Sequence, residues 1–246
     1  MGGYHDLYVV SDVLLLADVF EAHRAVCLEY YELDPAHYFT TPNFAWDAML
    51  KKTGVRLELL TDYDMYLMTE QGLRGGIAMI SHRHAQANNP YMGDDYDPEK
   101  EHSYISYLDA NNLYGQAMVQ ALPKGNFRWS EERDACVLID WYGSSEIEGC
   151  FVKVDLIYPQ HLHDKHNDYP LAPERKLVTQ DMLSPYATAL QQKLEIGKDM
   201  AAKLIPNLED KDGYVCDIRS LKFYVDHGLI VKQVHAVLTF DMLCSE

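Results

Sequence analysis

The chain has 246 residues, 48% hydrophobic and 24% charged, enough for one large or two small soluble domains with a real core. Its longest apolar run, Val13 to Leu16, is far too short to span a membrane, and no basic n-region followed by an apolar stretch opens the chain, so neither a membrane partner nor a signal peptide is expected and the protein reads as intracellular. A formal charge of −17 argues against tight duplex binding by this chain alone, and five scattered cysteines (Cys27, Cys136, Cys150, Cys216, Cys244) without a C-x-x-C pair argue against a zinc ribbon or a disulfide framework.

In chain order, Ser11 to about Glu32 predicts one amphipathic helix with Val13, Leu14, Ala17, Phe20 and Cys27 toward the core. Thr41-Pro42 reads as an N-cap and first helical position, opening a helix that stops at Gly54. Thr61 to Gly72 repeats that grammar with a Thr cap and an acidic first turn. Arg74-Gly75-Gly76 and the alternating run to His84 predict a strand pair or hairpin arm, and the polar stretch Asn88 to His102 a loop. The domain boundary falls between about Thr61 and Asn88. Ile105 to Leu108 predicts a strand that delivers Asp109, then breaks into an Asn-Asn turn and a short helix.

Lys124-Gly125 reads as a turn and Phe151 to Tyr158 as a strand. Pro159 to Pro173 is a long loop dense in His, Asp and Pro. Leu183 to Lys193 and Ile218 to His227 read as helices, Gly228 ending the second, and Leu229 to Leu238 as a returning strand. Helices first, then mixed strands and helices, define an α+β chain.

Certain residues carry more than architecture. A carboxylate at the end of a buried strand, as Asp109 is expected to be, needs a basic side chain or a metal against it. Tyr8 and Asp12 stand one turn apart on a single helix face, although an Asp there also suits the helix dipole. Gly75 and Gly76 would let backbone approach a sugar-phosphate beside Arg74, or simply make a tight turn. His161, His163 and His166 cluster in sequence, but in a stretch that reads first as a solvated loop. Basic residues gather at Lys51-Lys52, Arg74, Arg83 and Lys193 to Lys203, and local distribution outweighs net charge.

The segment Asp109-Ala110-Asn111-Asn112-Leu113-Tyr114-Gly115 resembles the first palm motif of family B DNA polymerases, Asp-x-x-Ser-Leu-Tyr-Pro. It is most similar to the protein-primed branch of phages, adenovirus-like viruses, linear plasmids and Polinton-like transposons; Asn112 and Gly115 depart from the general pattern. Tyr8 to Asp12 resembles the third exonuclease motif, and Leu73-Arg74-Gly75-Gly76 the Tyr-x-Gly-Gly linker that touches template, with Leu73 in place of the Tyr.

The resemblance implies that Asp109 is the ligand shared by two Mg²⁺ ions, with Ala110 lending its carbonyl. Ala110, Leu113 and Tyr114 would meet the incoming nucleotide, Tyr114 excluding a 2′-hydroxyl, and Asn111 and Asn112 would lie near the template. Asp12 would bind metal and Tyr8 orient water in the exonuclease, and Arg74, Gly75 and Gly76 would contact DNA. The expected partners are template-primer, dNTP and a priming terminal protein. Residues 1–72 would end an exonuclease-like domain; 73–246 would form a partial palm with an insertion at about 130–215 resembling the terminal-protein region. The second palm carboxylate motif, the fingers lysine and the other exonuclease carboxylates do not appear. The chain is therefore expected to be a fragment, inactive alone, or else a decayed remnant that binds nucleic acid or protein at most.

Overall fold

The computed structural model describes residues 2–197 and 201–243; Lys198 of the basic cluster and Cys244 lie outside them. The chain divides into two compact units at the Leu57–Glu58 bond, before the division at 72 read from the sequence.

The first unit holds α1 (Gly2–Tyr31) and α2 (Thr41–Thr53). Its core is small: Cys27, Phe44 and Ala48, with Leu33 and Tyr38 against them. Tyr31 and Tyr38 meet Phe44 edge-on, at 5.9 and 5.3 Å between ring centroids. The Arg24 guanidinium grips Asp34 through Nε and Nη2 at 2.8 and 2.6 Å, holding its carboxyl down at about 2. Thr40 rather than Thr41 caps α2, accepting from the Asn43 amide, and Gly54 ends it in the left-handed region at φ 65°. The core face expected of α1 does not form: Val13, Leu14 and Phe20 are exposed, and among the described residues of α1 only Cys27 is buried. Within this unit α2 covers the last turns of α1, and no other described residue covers its first turns.

The second unit contains α3 (Tyr63–Gly72), α4 (Leu113–Met118), β1 (Leu122–Ser130), α5 (Ala135–Tyr142), β2 (Glu148–Ile157), α6 (His163–His166) and β3 (Glu174–Leu177). It continues with α7 (Pro185–Lys193), β4 (Ala202–Ile205), β5 (Lys211–Asp217), α8 (Ile218–Asp226) and β6 (Ile230–Leu243). A four-stranded antiparallel sheet runs β1-β6-β2-β5, and β3 and β4 form a separate pair. The architecture is α+β.

The period-2 alternation of β2 explains the packing. Cys150, Val152, Val154 and Leu156 point to one face, against Leu138 of α5 and Ile218 and Leu221 of α8. Phe151 points to the other, where Met68 of α3 meets Val215 and Leu238. Each fully buried aliphatic here stabilises the fold by about 1.5–3 kcal/mol. The cap of α3 is Asp62, whose carboxylate accepts from Met65 N at 2.9 Å, not Thr61. Gly228, at φ 99°, closes α8 as its position implied.

Two expected strands are not in the sheet. Residues 73–87 and 104–110 belong to no helix or strand, with bends at Ser81 and Arg83, because alternation favours a strand but does not supply the neighbour to bond it. The first is pinned instead by side chains: Ser81 Oγ and His82 Nε2 bond Asp168, and Arg83 lies over the Tyr186 ring. Lys124-Gly125 is no turn either; it lies inside β1 at shifts in its register with β6. No described helix is long and apolar enough to cross a membrane.

Candidate functional site

Asp109 lies in residues 104–110, outside any described helix or strand, and is exposed, with no side-chain hydrogen bond or ion pair to a described residue. The buried strand-end carboxylate expected from the sequence is therefore absent. Asn111 and Asn112 make the turn, and Asn112 sits in the left-handed region at φ 53° as the cap of α4. Its Oδ1 accepts from Gly115 N at 3.1 Å. A Cβ on Gly115 would stand 2.3 Å from Asn112 Nδ2, so the residue at 115 must be glycine for this cap to close. A proline there would also remove the N–H that Asn112 accepts. The two departures from the usual motif are thus one local device.

Tyr114 projects from the first turn of α4 with 87% of its surface in water, and Leu113 and Ala110 are exposed beside it. The end of this segment is tethered by Arg219, which donates from Nη1 to Ala121 O at 3.2 Å while Nε and Nη2 hold Asp217. Local sequence gave no sign of that tether.

Arg74 does not stand free. Its guanidinium lies 4.0 Å from the Tyr214 ring centroid, and Nη1 donates to Val215 O at 2.6 Å and to Gly72 O at 3.2 Å. Nε and Nη2 make no bond to the described residues. A cleft of about 250 Å³ opens here, lined in part by Arg74, Tyr214, Ser220 and Tyr224. Gly75 and Gly76 have negative φ and open space around the Cβ position, so no local crowding requires glycine at either. Tyr8 and Asp12 lie on the exposed surface of α1 in the first unit.

The histidine-rich segment is not a solvated loop. Tyr158 is its hub: the hydroxyl meets buried His166 Nδ1 at 2.9 Å and accepts from Leu171 N at 3.1 Å, and its own amide bonds Asp210. Leu162, His166 and Ala172 are buried. Burial lowers the His166 pKa, as expected for a ring held neutral.

Asp155 and Asp241, two carboxylates of the sheet, have partners. Asp155 sits between β-bulges in both neighbouring strands: Asp212-Gly213 bulge from β5, and His235 is the extra residue of β6. Its Oδ1 accepts from Gly213 N at 2.7 Å and faces His235 Nε2 at 2.8 Å. The Gly213 bond above all, then His235, lowers its pKa. Asp241 takes Asn126 Nδ2 at 3.2 Å, and Arg128 stands 3.9 Å away. Burial pushes up the thiols of Cys150 and Cys216, the latter to about 12, which leaves them unreactive.

Asp109 and the Ala110 carbonyl offer hard oxygen ligands of the type Mg²⁺ prefers. Among the described residues no three His, Cys, Asp or Glu side chains gather as a group that could hold a metal ion. No protein-family model matches the chain, and neither a curated protein nor a solved structure does.

Proposed function

We propose that this chain is part of a DNA-directed DNA polymerase of the protein-primed family B type and that it carries one carboxylate of the nucleotidyl-transfer site. The observation that carries the reading is the turn at Asp109. Within six residues a carboxylate with no side-chain partner among the described residues and an exposed phenol ring stand at the head of a capped helix. Neither contributes to the core, so their chemistry rather than their packing accounts for the sequence there. An antiparallel sheet backed by α5 and α8 supports a place in a palm.

In this reading Asp109 and the Ala110 carbonyl would hold Mg²⁺ together with a second carboxylate supplied from beyond this sequence, and the bound ion would supply charge neutralisation for phosphoryl transfer. Tyr114, with Leu113 behind it, lies against the sugar and excludes a 2′-hydroxyl. Asn111 contacts template, whereas Asn112 spends its side chain on the α4 cap. Arg74 reaches a phosphate through its Nε and Nη2 edge, beside Gly75 and Gly76. Tyr8 and Asp12 belong to the exonuclease part, and the terminal protein is received by the surface of the segment at about 130–215, which also supplies α5, β2 and most of β5 to the sheet and its backing.

The test has two arms. Genomic DNA and transcript flanking this frame are sequenced, and primer extension is assayed with Mg²⁺. A frame continuing into a fingers lysine and a second Asp-bearing motif, with extension by the complete product abolished in Asp109→Ala, is the expected result. A frame ending in both directions without them, or extension indifferent to Asp109→Ala, refutes the reading and leaves a non-catalytic remnant.

A further inference from the structure

We propose that the loop from Asn88 to Ser103 is a docking surface for a basic peptide segment of a partner protein, an inference that stands whether or not the polymerase reading does. The loop is closed on itself by side chains rather than by a core. Asn88 and Ser103 form an isolated antiparallel bridge, with N–H to O distances of 3.2 and 2.8 Å. The Asn88 amide donates to the carbonyls of Asp97, Lys100 and Glu101 at 2.9, 3.3 and 3.1 Å, and its oxygen accepts from Asp97 N at 2.9 Å. Asn89, buried, donates to Ser103 O at 2.9 Å and accepts from Tyr91 N at 3.1 Å. Compact loops closed this way are preorganised, which lowers the ordering cost of binding.

The foot of the loop opens into a cavity of about 500 Å³, lined among others by Ala87, Tyr91, Met92, Tyr104 and Ile105. Tyr91 is 90% and Tyr104 61% exposed, so two large rings are held in water beside an apolar floor. Such rings supply contact area at low entropic cost and favour a cation over their faces. The loop itself supplies the counter-charge. Its sequence carries Asp94, Asp95, Asp97, Glu99 and Glu101 against Lys100 and His102, and that lysine is paired with Asp97 at 3.0 Å.

This combination selects the occupant. An Arg or Lys side chain lays its apolar stem on Tyr91 and Tyr104 and carries its charge toward the carboxylates of residues 94–101, the acidic rim of the proposed surface. A nucleic acid would find rings to stack on, but its phosphates would meet carboxylates of the same sign.

The test is fluorescence anisotropy on the full chain with a labelled peptide of alternating Arg and Leu, and with a labelled oligothymidylate. Tyr91→Ala and Tyr104→Ala should each weaken peptide binding about tenfold, the scale of an aromatic anchor, without moving the thermal midpoint, since both rings are exposed. Neutralising the rim (Asp94→Asn, Asp95→Asn, Glu99→Gln, Glu101→Gln) should weaken it at least as much. Neutralising four acids elsewhere (Asp18→Asn, Glu29→Gln, Glu131→Gln, Asp140→Asn) should change it less than about twofold. Equal loss from the two neutralised sets, or full binding by Tyr91→Ala, would mean that the peptide senses only net charge and would overturn the proposal. Tyr91-dependent binding of the oligothymidylate would overturn it in favour of a nucleobase pocket.

Discussion

The cap that joins Asn112 to Gly115 makes a quantitative prediction about the candidate site. Asn112→Ala removes a side-chain acceptor worth about 1 kcal/mol at an N-cap. It also puts at φ 53° an Ala, which tolerates the left-handed region less well than Asn does, by about 1 kcal/mol. The sum, about 2 kcal/mol, should speed amide exchange of Gln116 and Val119, which bond to Asn112 O and Gly115 O at 3.0 and 3.2 Å, by about thirtyfold. Asn112→Gly keeps the backbone content and should cost only a few tenths of a kcal/mol. In Gly115→Ala the new Cβ takes the space of the Asn112 side chain, so the cap is already lost. On that background Asn112→Ala should cost about 1 kcal/mol less than in the wild type, close to a fivefold difference in exchange. Hydrogen exchange followed by NMR measures all four corners of the cycle. Additive effects would show that the cap bond contributes nothing and that Gly115 is not there to admit Asn112.

Two further predictions concern the sheet. Asp155 has its pKa lowered by Gly213 N and His235, so its contribution is present above its ordinary 3.8 and is lost as pH falls through the lower folded value. Thermal midpoints of wild type and Asp155→Asn should therefore differ at neutral pH and converge in acid; a constant gap would refute the assignment. Lys211 is 1% exposed, bonded to Glu174 at 3.2 Å and to Asn207, and burial lowers its pKa. Glu174→Ala, which strands this ammonium, should cost about 3 kcal/mol in urea unfolding, and Lys211→Met about 1 kcal/mol or less. Equal costs would refute the view that desolvation of Lys211 dominates the pair.

The parts of the fold legible in the sequence were those set by local rules. The alternation of β2, the glycine stops at Gly54 and Gly228 and the helical spacing of α8 all describe what a segment does on its own. One misreading has a plain cause. Lys124-Gly125 looks like a turn, yet it lies in a bulged strand at an edge of the sheet, and β5 at the other edge bulges at Asp212-Gly213. Bulges tolerate the residues that sequence rules assign to turns. Conversely Ile77 to His84 and Ile105 to Leu108 have the pattern of strands without the partner. Motif residues were recognisable one by one, but the bonds that hold Arg74 to Val215 and Asp155 to His235 span long sequence separations that no local pattern encodes.

The placement of the candidate site follows from the same division. The buried rows of β2 and β6 and the helices on them concentrate the stability of the second unit, and Asp109 to Tyr114 stands outside them on an exposed turn. Segments with few buried contacts open locally at little cost. The turn is held at its end by Arg219 on Ala121 and within itself by one cap bond. Strengthening the core should therefore leave exchange at Gln116 unchanged, whereas Arg219→Lys, which cannot span Asp217 and Ala121 with one planar group, should loosen the end of α4 alone. A site so weakly tied has its geometry set by whatever packs over it, and the exposed Leu108 and Tyr114 are the surfaces on which that covering would act.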